Sequence, residues 1–230
     1  MPANSADVLG LLRRARVIPV IRRPDPGSAV EACAAMAALG SEAARTSTDA
    51  AGWPEVIELT ATTPDWQRAF AEARETLANT VLPNTVLPNT VPPNTVLGLG
   101  TVTDAATAQA AVRAGAAFLV SPYAAPEVRR VADAAGVPFI EGGYTPGELA
   151  ASTRAGAAAK LFPAAPAGPG YLRSVLEILP GARVIPTGGI AVSKVGEWLA
   201  AGAYAVGVGG GLAGQPDAAA QLATALAGRR

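Results

Sequence analysis

Two side chains in this sequence have types and settings suited to covalent carbonyl chemistry. Lys160 lies in Ala157-Ala158-Ala159-Lys160-Leu161-Phe162-Pro163-Ala164, a short apolar strand pattern. Lys160 and Lys194 are the only lysines; every other basic side chain is an arginine. An ammonium buried in such a strand is unfavourable, and a depressed pKa that leaves the amine neutral relieves the penalty. A neutral buried amine is what a Schiff-base nucleophile requires, and a guanidinium cannot serve. The alternative is a lysine at a strand end whose head group reaches water. Glu58 lies in a second strand pattern, Val56-Ile57-Glu58-Leu59-Thr60. By period-two alternation Val56, Glu58 and Thr60 share one face, as do Ala158, Lys160 and Phe162. If the apolar partners meet helices, Glu58 and Lys160 point into a common interior. A carboxylate near a neutral amine can then move protons, directly or through a water. The alternative for Glu58 is a structural ion pair with an inward arginine such as Arg22.

Composition narrows the chemistry. The chain has 230 residues, half of them hydrophobic, which suits one α/β barrel domain spanning 1–230. Eighteen basic residues balance eighteen acidic ones without a basic block, so neither nucleic acid nor a membrane surface is an expected partner. Histidine is absent and Cys33 is the one cysteine, so imidazole catalysis is excluded and zinc lacks a ligand set. Cys33 sits in a helical pattern and reads as a small buried apolar residue. No intrachain disulfide is possible, which suits a reducing cytoplasm. Met1 to Val8 does not read as a secretory signal, and no apolar run is long enough to span a bilayer.

The elements that must position these residues alternate. Asp7–Arg14 reads as a leading helix and Val17–Ile21 as the first strand. Ser28 is expected to cap a helix that Gly40 ends near Leu39. Val56–Thr60 is the second strand, and Pro64 opens a helix to about Leu77. Val96–Gly98 is followed by a helix from Thr103-Asp104 to Gly115. Ala117–Val120 precedes the helix Pro126–Ala135, stopped by Gly136. Pro138–Ile140 precedes a helix opened by Thr145-Pro146 and ended by Gly156. Ala158–Phe162 precedes the helix Tyr171–Leu179. Arg183–Pro186 precedes a helix capped by Ser193, and Ala205–Val208 precedes a last helix over 217–226. Eight such units with apolar strands predict a (β/α)8 TIM barrel; a doubly wound open sheet is the runner-up, lacking Gly-x-Gly-x-x-Gly after strand one. Residues 41–52 and the Asn-Thr-Val-Leu-Pro repeat of 79–95 depart from this alternation. The regular prolines of the repeat forbid helix and central strand. Both stretches join a helix to the next strand, so both are expected as loops at the bottom face, away from any site.

Barrel sites sit at the carboxyl ends of the strands. Those ends carry Arg22, Glu58, Thr60, Thr62, Thr101, Ser121, Glu141, Lys160, Thr187 and the Gly209 turn. Thr187-Gly188-Gly189 and Gly209-Gly210-Gly211 follow strands seven and eight, where backbone N–H groups beside helix N-termini commonly hold phosphate or another anion.

In order along the chain, Val17-Ile18-Pro19-Val20-Ile21-Arg22, Ile57-Glu58-Leu59-Thr60, Gly98-Leu99-Gly100-Thr101-Val102, Val120-Ser121-Pro122, Lys160-Leu161-Phe162-Pro163-Ala164 and Pro186-Thr187-Gly188-Gly189-Ile190 resemble the 2-dehydro-3-deoxy-phosphogluconate / 4-hydroxy-2-oxoglutarate aldolases. These are class I lyases that form a Schiff base. The resemblance implies that Lys160 forms the Schiff base and that Glu58 is the general acid/base. It implies further that Thr101 lies near the keto-acid carboxylate and that Gly188-Gly189 and Gly209-Gly210 bind phosphate. Thr62 stands where many members carry an arginine, and Arg22 is the candidate anion clamp. Ser121, Phe162 and Thr187 complete the expected substrate-binding set. The substrate implied is 2-keto-3-deoxy-6-phosphogluconate or 4-hydroxy-2-oxoglutarate, cleaved to pyruvate and an aldehyde without cofactor or metal, in a cytoplasmic homotrimer. Gly210 replaces the family's common Ser, and Glu141 replaces a Pro. A carboxylate at that rim is expected to repel an anionic substrate or bind its hydroxyls. The competing readings are a phosphosugar isomerase barrel and a non-catalytic phosphosugar-binding barrel.

Overall fold

The computed structural model describes residues 5–46, 56–79, 95–156, 158–209, 212, 220–222 and 224. Its strands are β1 (Val17–Ile21), β2 (Val56–Thr60), β3 (Val96–Gly100), β4 (Leu119–Val120), β5 (Phe139–Gly143), β6 (Ala159–Leu161), β7 (Val184–Pro186) and β8 (Val206–Val208). The helices are α1 (Ser5–Ala15), α2 (Pro26–Thr46), α3 (Trp66–Asn79), α4 (Ala105–Arg113), α5 (Pro126–Ala135), α6 (Pro146–Ala155), α7 (Ala164–Ile178) and α8 (Val195–Ala200). All strand pairs are parallel, in the order β7-β6-β5-β4-β3-β2-β1-β8. An isolated parallel bridge, Thr187 to Gly207, brings β7 to β8 and closes the ring. A sheet that returns on itself is a (β/α)8 barrel, and the open doubly wound alternative is set aside.

Alternation along the strands sorts the core into two layers. Val17, Ile57, Leu59, Leu97, Leu99, Leu119, Phe139, Ala159, Leu161, Val184 and Val206 face the helices. Ile18, Val56, Phe118, Val120, Ile140, Ala158, Ile185 and Ala205 fill the lower barrel interior, where α1 covers them with Val8, Leu9 and Leu12. Each fully buried aliphatic side chain of this kind contributes about 1.5–3 kcal/mol. Tyr204 Oη donates to the Leu9 carbonyl at 2.9 Å and ties α1 to the start of β8. The barrel floor is therefore solid, and polar residues inside it lie above this layer.

Local chemistry sets several boundaries differently from the sequence reading. α2 passes through Gly40 to Thr46, because the helix-forming Glu42-Ala43-Ala44-Arg45 outweighs one glycine, whose cost is about 1 kcal/mol. Asp25, not Ser28, caps that helix: Ser28 N–H and Oγ donate to its carboxylate at 2.9 and 2.7 Å. α3 begins at Trp66, after Asp65 in a left-handed conformation. α7 begins at Ala164, since Ala164 and Ala165 N–H groups donate to Thr187 and Gly188 carbonyls; Gly168 breaks it before Pro169 restarts it. Ser193 lies inside a 3-10 turn, Val192–Lys194, and α8 has no side-chain cap. α6 keeps its expected start: Thr145 and Glu148 form a reciprocal capping box. Residues 47–52 of the first insertion, most of the pentad repeat and most of the last helix lie outside the described residues.

Candidate active site

β2 and β6 are too far apart in sequence to meet by local structure, yet the barrel sets their inward faces opposite one another. Lys160 Nζ lies 3.3 Å from Glu58 Oε1. The two side chains are 6% and 4% exposed, so the pair is removed from water. Glu58 therefore meets Lys160 rather than Arg22, and the structural pairing of Glu58 with Arg22 is not formed among the described residues. Phe162, two residues beyond Lys160 on the same face, places its ring centroid 5.4 Å from Nζ. An aromatic face at this distance favours a positive charge, such as that of an iminium on this nitrogen, through its quadrupole.

Space for these side chains comes from glycines on neighbouring strands. A Cβ on Gly100 would lie 2.5 Å from Glu58 Cδ and 2.7 Å from Cγ. Gly142 is the register partner of Lys160 on β5. A Cβ on Gly207 would overlap the Thr187 hydroxyl. Gly98 gives way to the Phe118 ring in the same manner. In the sequence, Gly98 and Gly100 stand out only within the Gly98-Leu99-Gly100-Thr101-Val102 stretch that resembles the aldolases. Their alternation on β3, in phase with Glu58 on the paired β2, is the signal that could have found them.

The remaining expected residues ring the upper mouth. Thr101, directly after β3, is half-buried with φ 58. A β-branched residue in the left-handed region is strained, and strain of this kind concentrates at functional sites. Thr60 and Thr62 hydroxyls lie 3.0 Å apart. Ser121 is fully buried; its Oγ donates to the Tyr123 carbonyl at 2.6 Å and accepts from Gly142 N–H at 3.3 Å. Thr187 is buried beside Gly207. Arg22 is exposed at the end of β1, and its guanidinium makes no ion pair among the described residues. Gly188 and Gly189 adopt φ 98 and 73, and a Cβ on either would lie 2.8 Å from Phe162 or Ala165, so this turn requires glycine. Gly209 follows β8; Gly210 lies outside the described residues.

Glu141 departs from its expected place. On β5 it alternates outward with Phe139, away from the interior. Its Oε1 accepts from Ala125 N–H at 2.7 Å and its Oε2 lies 3.6 Å from Arg129 Nη2. Its carboxylate is engaged with α5 rather than turned into the barrel. Among the described residues no cluster of three Cys, Asp or Glu side chains could hold a metal ion, and no helix is long and apolar enough to cross a membrane.

Comparison with known proteins places the chain in a family. The family described as KDPG and KHG aldolase matches residues 84–221, more than half of the chain. A solved 4-hydroxy-2-oxoglutarate/2-dehydro-3-deoxyphosphogluconate aldolase from TTHB1 superposes with a TM-score of 0.71 at 30% identity, covering 95% of this chain and 96% of that one. The 2-dehydro-3-deoxy-phosphogluconate aldolase of Pseudomonas aeruginosa is 37% identical over 106 residues, 45% of this chain and 48% of that protein. A probable 2-dehydro-3-deoxy-6-phosphogalactonate aldolase of Rhizobium meliloti is 32% identical over 119 residues, 51% of this chain and 56% of that protein. The chain spans about half the length of these two curated relatives in the matched regions. With the barrel, the family match and the full-length likeness to a solved aldolase in agreement, this chain belongs to the KDPG and KHG aldolase family.

Proposed function

We propose that the protein is a class I aldolase that cleaves a 2-keto-3-deoxy-6-phospho sugar acid, 4-hydroxy-2-oxoglutarate, or both, and releases pyruvate. The observation that carries this reading is the buried approach of Lys160 Nζ to Glu58 Oε1 at 3.3 Å, with Glu58 seated where Gly100 lacks a side chain. Lys160 attacks the C2 ketone, and loss of water gives a cationic iminium. The iminium draws electrons from the C3–C4 bond, which breaks to leave an enamine on the pyruvate half. Glu58 takes the C4 hydroxyl proton through a water, so that the other half departs as an aldehyde, and it helps return a proton to the enamine carbon. Hydrolysis of the pyruvate iminium restores the amine.

Thr101, Thr62 and Ser121 are assigned to substrate oxygens, Phe162 and Thr187 to the walls, and Arg22 to an anionic group. The Gly188-Gly189 and Gly209-Gly210 turns are assigned to phosphate. The required conformations at Gly188 and Gly189 support this, because a turn free of side chains lets backbone N–H groups approach an anion. The curated relatives are named for different phosphorylated sugar acids, so the phosphogluconate and phosphogalactonate compounds are both candidates. A homotrimer is the assembly that the family resemblance implies, and the lone cysteine suits a reducing cytoplasm.

Borohydride reduction in the presence of pyruvate tests the central step. The expected result is a stable pyruvate adduct mapped to Lys160 and absent from Lys160→Ala. Folded protein that gives no adduct on any lysine would overturn the Schiff-base assignment.

A further inference from the structure

We propose that Glu141 is a positioning residue of the Lys160 site, holding the 121–125 segment across the barrel mouth by accepting the Ala125 N–H. The proposal rests on the aldolase reading above for its effect on catalysis, although the contact itself does not.

The segment follows β4 and leads into α5. Its inner side lies against Gly142, the register partner of Lys160: a Cβ on Gly142 would overlap the Pro122 carbonyl and lie 2.5 Å from Tyr123 N. Residues 121–123 thus pass directly over the strand beside the amine. Two polar contacts fasten them to β5. Inside, Gly142 N–H donates to Ser121 Oγ at 3.3 Å. Outside, Glu141 Oε1 accepts from Ala125 N–H at 2.7 Å.

Ala125 is the N-cap of α5 and has no side chain to cap that helix. In α6 the equivalent N–H, that of Thr145, is accepted by Glu148 of the same helix, in a capping box. In α5 the carboxylate instead comes from the next strand, so the contact caps the helix and also fixes the loop to the sheet. Arg129, one turn along α5, returns to the same carboxylate at 3.6 Å, donates to the Phe139 carbonyl at 3.3 Å, and lies 4.6 Å over the Phe139 ring. Gly156 leaves room for it, since a Cβ there would be 2.8 Å from Arg129 Nη2. Glu141 is 8% exposed, so without it the Ala125 N–H and the Arg129 guanidinium lose a partner where water access is poor.

The test compares Glu141→Gln, Glu141→Asp and Glu141→Ala in the full chain. The readouts are amide exchange at Ala125, pyruvate trapping by borohydride, and steady-state cleavage of 2-keto-3-deoxy-6-phosphogluconate. Glutamine keeps an acceptor oxygen at the same reach and is expected to retain Ala125 protection and the parental KM. Aspartate is one methylene short, and alanine has no acceptor. Both are expected to lose Ala125 protection and to raise KM about tenfold, as a loosened positioning element does. Pyruvate trapping, which uses Lys160 and Glu58 on a small keto acid, should stay within twofold in all three, a split that simple unfolding would not produce. Parental KM and Ala125 protection in Glu141→Asp, or a Glu141→Gln variant as impaired as alanine, would overturn the proposal. If the parent protein neither traps pyruvate nor cleaves the substrate, the aldolase reading fails, while Ala125 exchange still decides whether Glu141 holds the loop.

Discussion

Gly100→Ala tests the geometry of the Lys160–Glu58 pair without touching either residue. The added Cβ would sit 2.5 Å from Glu58 Cδ and 2.7 Å from Cγ. Ordinary carbon–carbon contact begins at about 3.5 Å, so the glutamate must retreat by about 1 Å. Its carboxylate is the partner of Lys160 Nζ at 3.3 Å, and both side chains are almost fully buried. A misplacement of about 1 Å in a catalytic constellation lowers turnover by about a hundredfold, or about 2.7 kcal/mol of transition-state stabilisation. The strand itself tolerates alanine, and overpacking of this size costs about 1–3 kcal/mol of stability. The assay is kcat for keto-acid cleavage beside a thermal melt. The expected result is a folded protein, melting a few degrees lower, with kcat down about a hundredfold and Lys160 still present for slow trapping. A folded Gly100→Ala variant with kcat within twofold of the parent would refute the claim that the position of the Glu58 carboxylate governs the reaction.

Lys160→Met removes one member of a buried pair and leaves the Glu58 carboxylate without a partner, a change expected to lower stability by about 3–5 kcal/mol. Adding Glu58→Gln to Lys160→Met should recover part of that loss in urea unfolding; single and double variants all as stable as the parent would contradict a buried ion pair. Thr101→Gly relieves a left-handed threonine, a gain of about 1–2 kcal/mol against about 0.5–1 kcal/mol of glycine entropy. Its urea midpoint should hold or rise while KM for the keto acid rises, and a fall in stability beyond about 1 kcal/mol would refute the strain. Burial pushes the Cys33 thiol up to about 12, against a smaller opposite pull from Arg23. A pKa raised in the folded state contributes stability that is whole below the unfolded value of 9.0 and is lost as pH climbs toward about 12. Cys33 should therefore resist thiol reagents at pH 8 until urea unfolds the chain, and rapid labelling of native protein would show an opening that the fold lacks.

The barrel was legible because its strands are almost wholly apolar and its helices carry local start and stop signals, such as Thr145-Pro146 and Gly136. Local rules erred where two such signals competed. Gly40 did not stop α2, because good helix formers follow it. Ser28 did not cap it, because Asp25 accepts both Ser28 donors. Tyr171 did not begin α7, because Ala164 and Ala165 are already bonded to the turn after β7. Only in the last case does the deciding contact lie outside the window that a propensity argument sees.

The chemistry divides in the same way. Sequence alone determined which side chains were available: one lysine in an apolar strand, a glutamate in another, no histidine, and glycine turns after strands seven and eight. Alternation also determined that Glu58 and Lys160 would share an interior, since period two leaves each strand only two faces. The 3.3 Å approach across 102 residues of chain depended on ring closure and strand register, which are tertiary quantities. Glu141 shows the limit most clearly. Its position at a strand end placed it at the rim. Only the packed structure showed that, one residue out of phase with Gly142, it turns away from the chamber to hold the loop beside it, because a shift of one residue on a strand exchanges inside for outside.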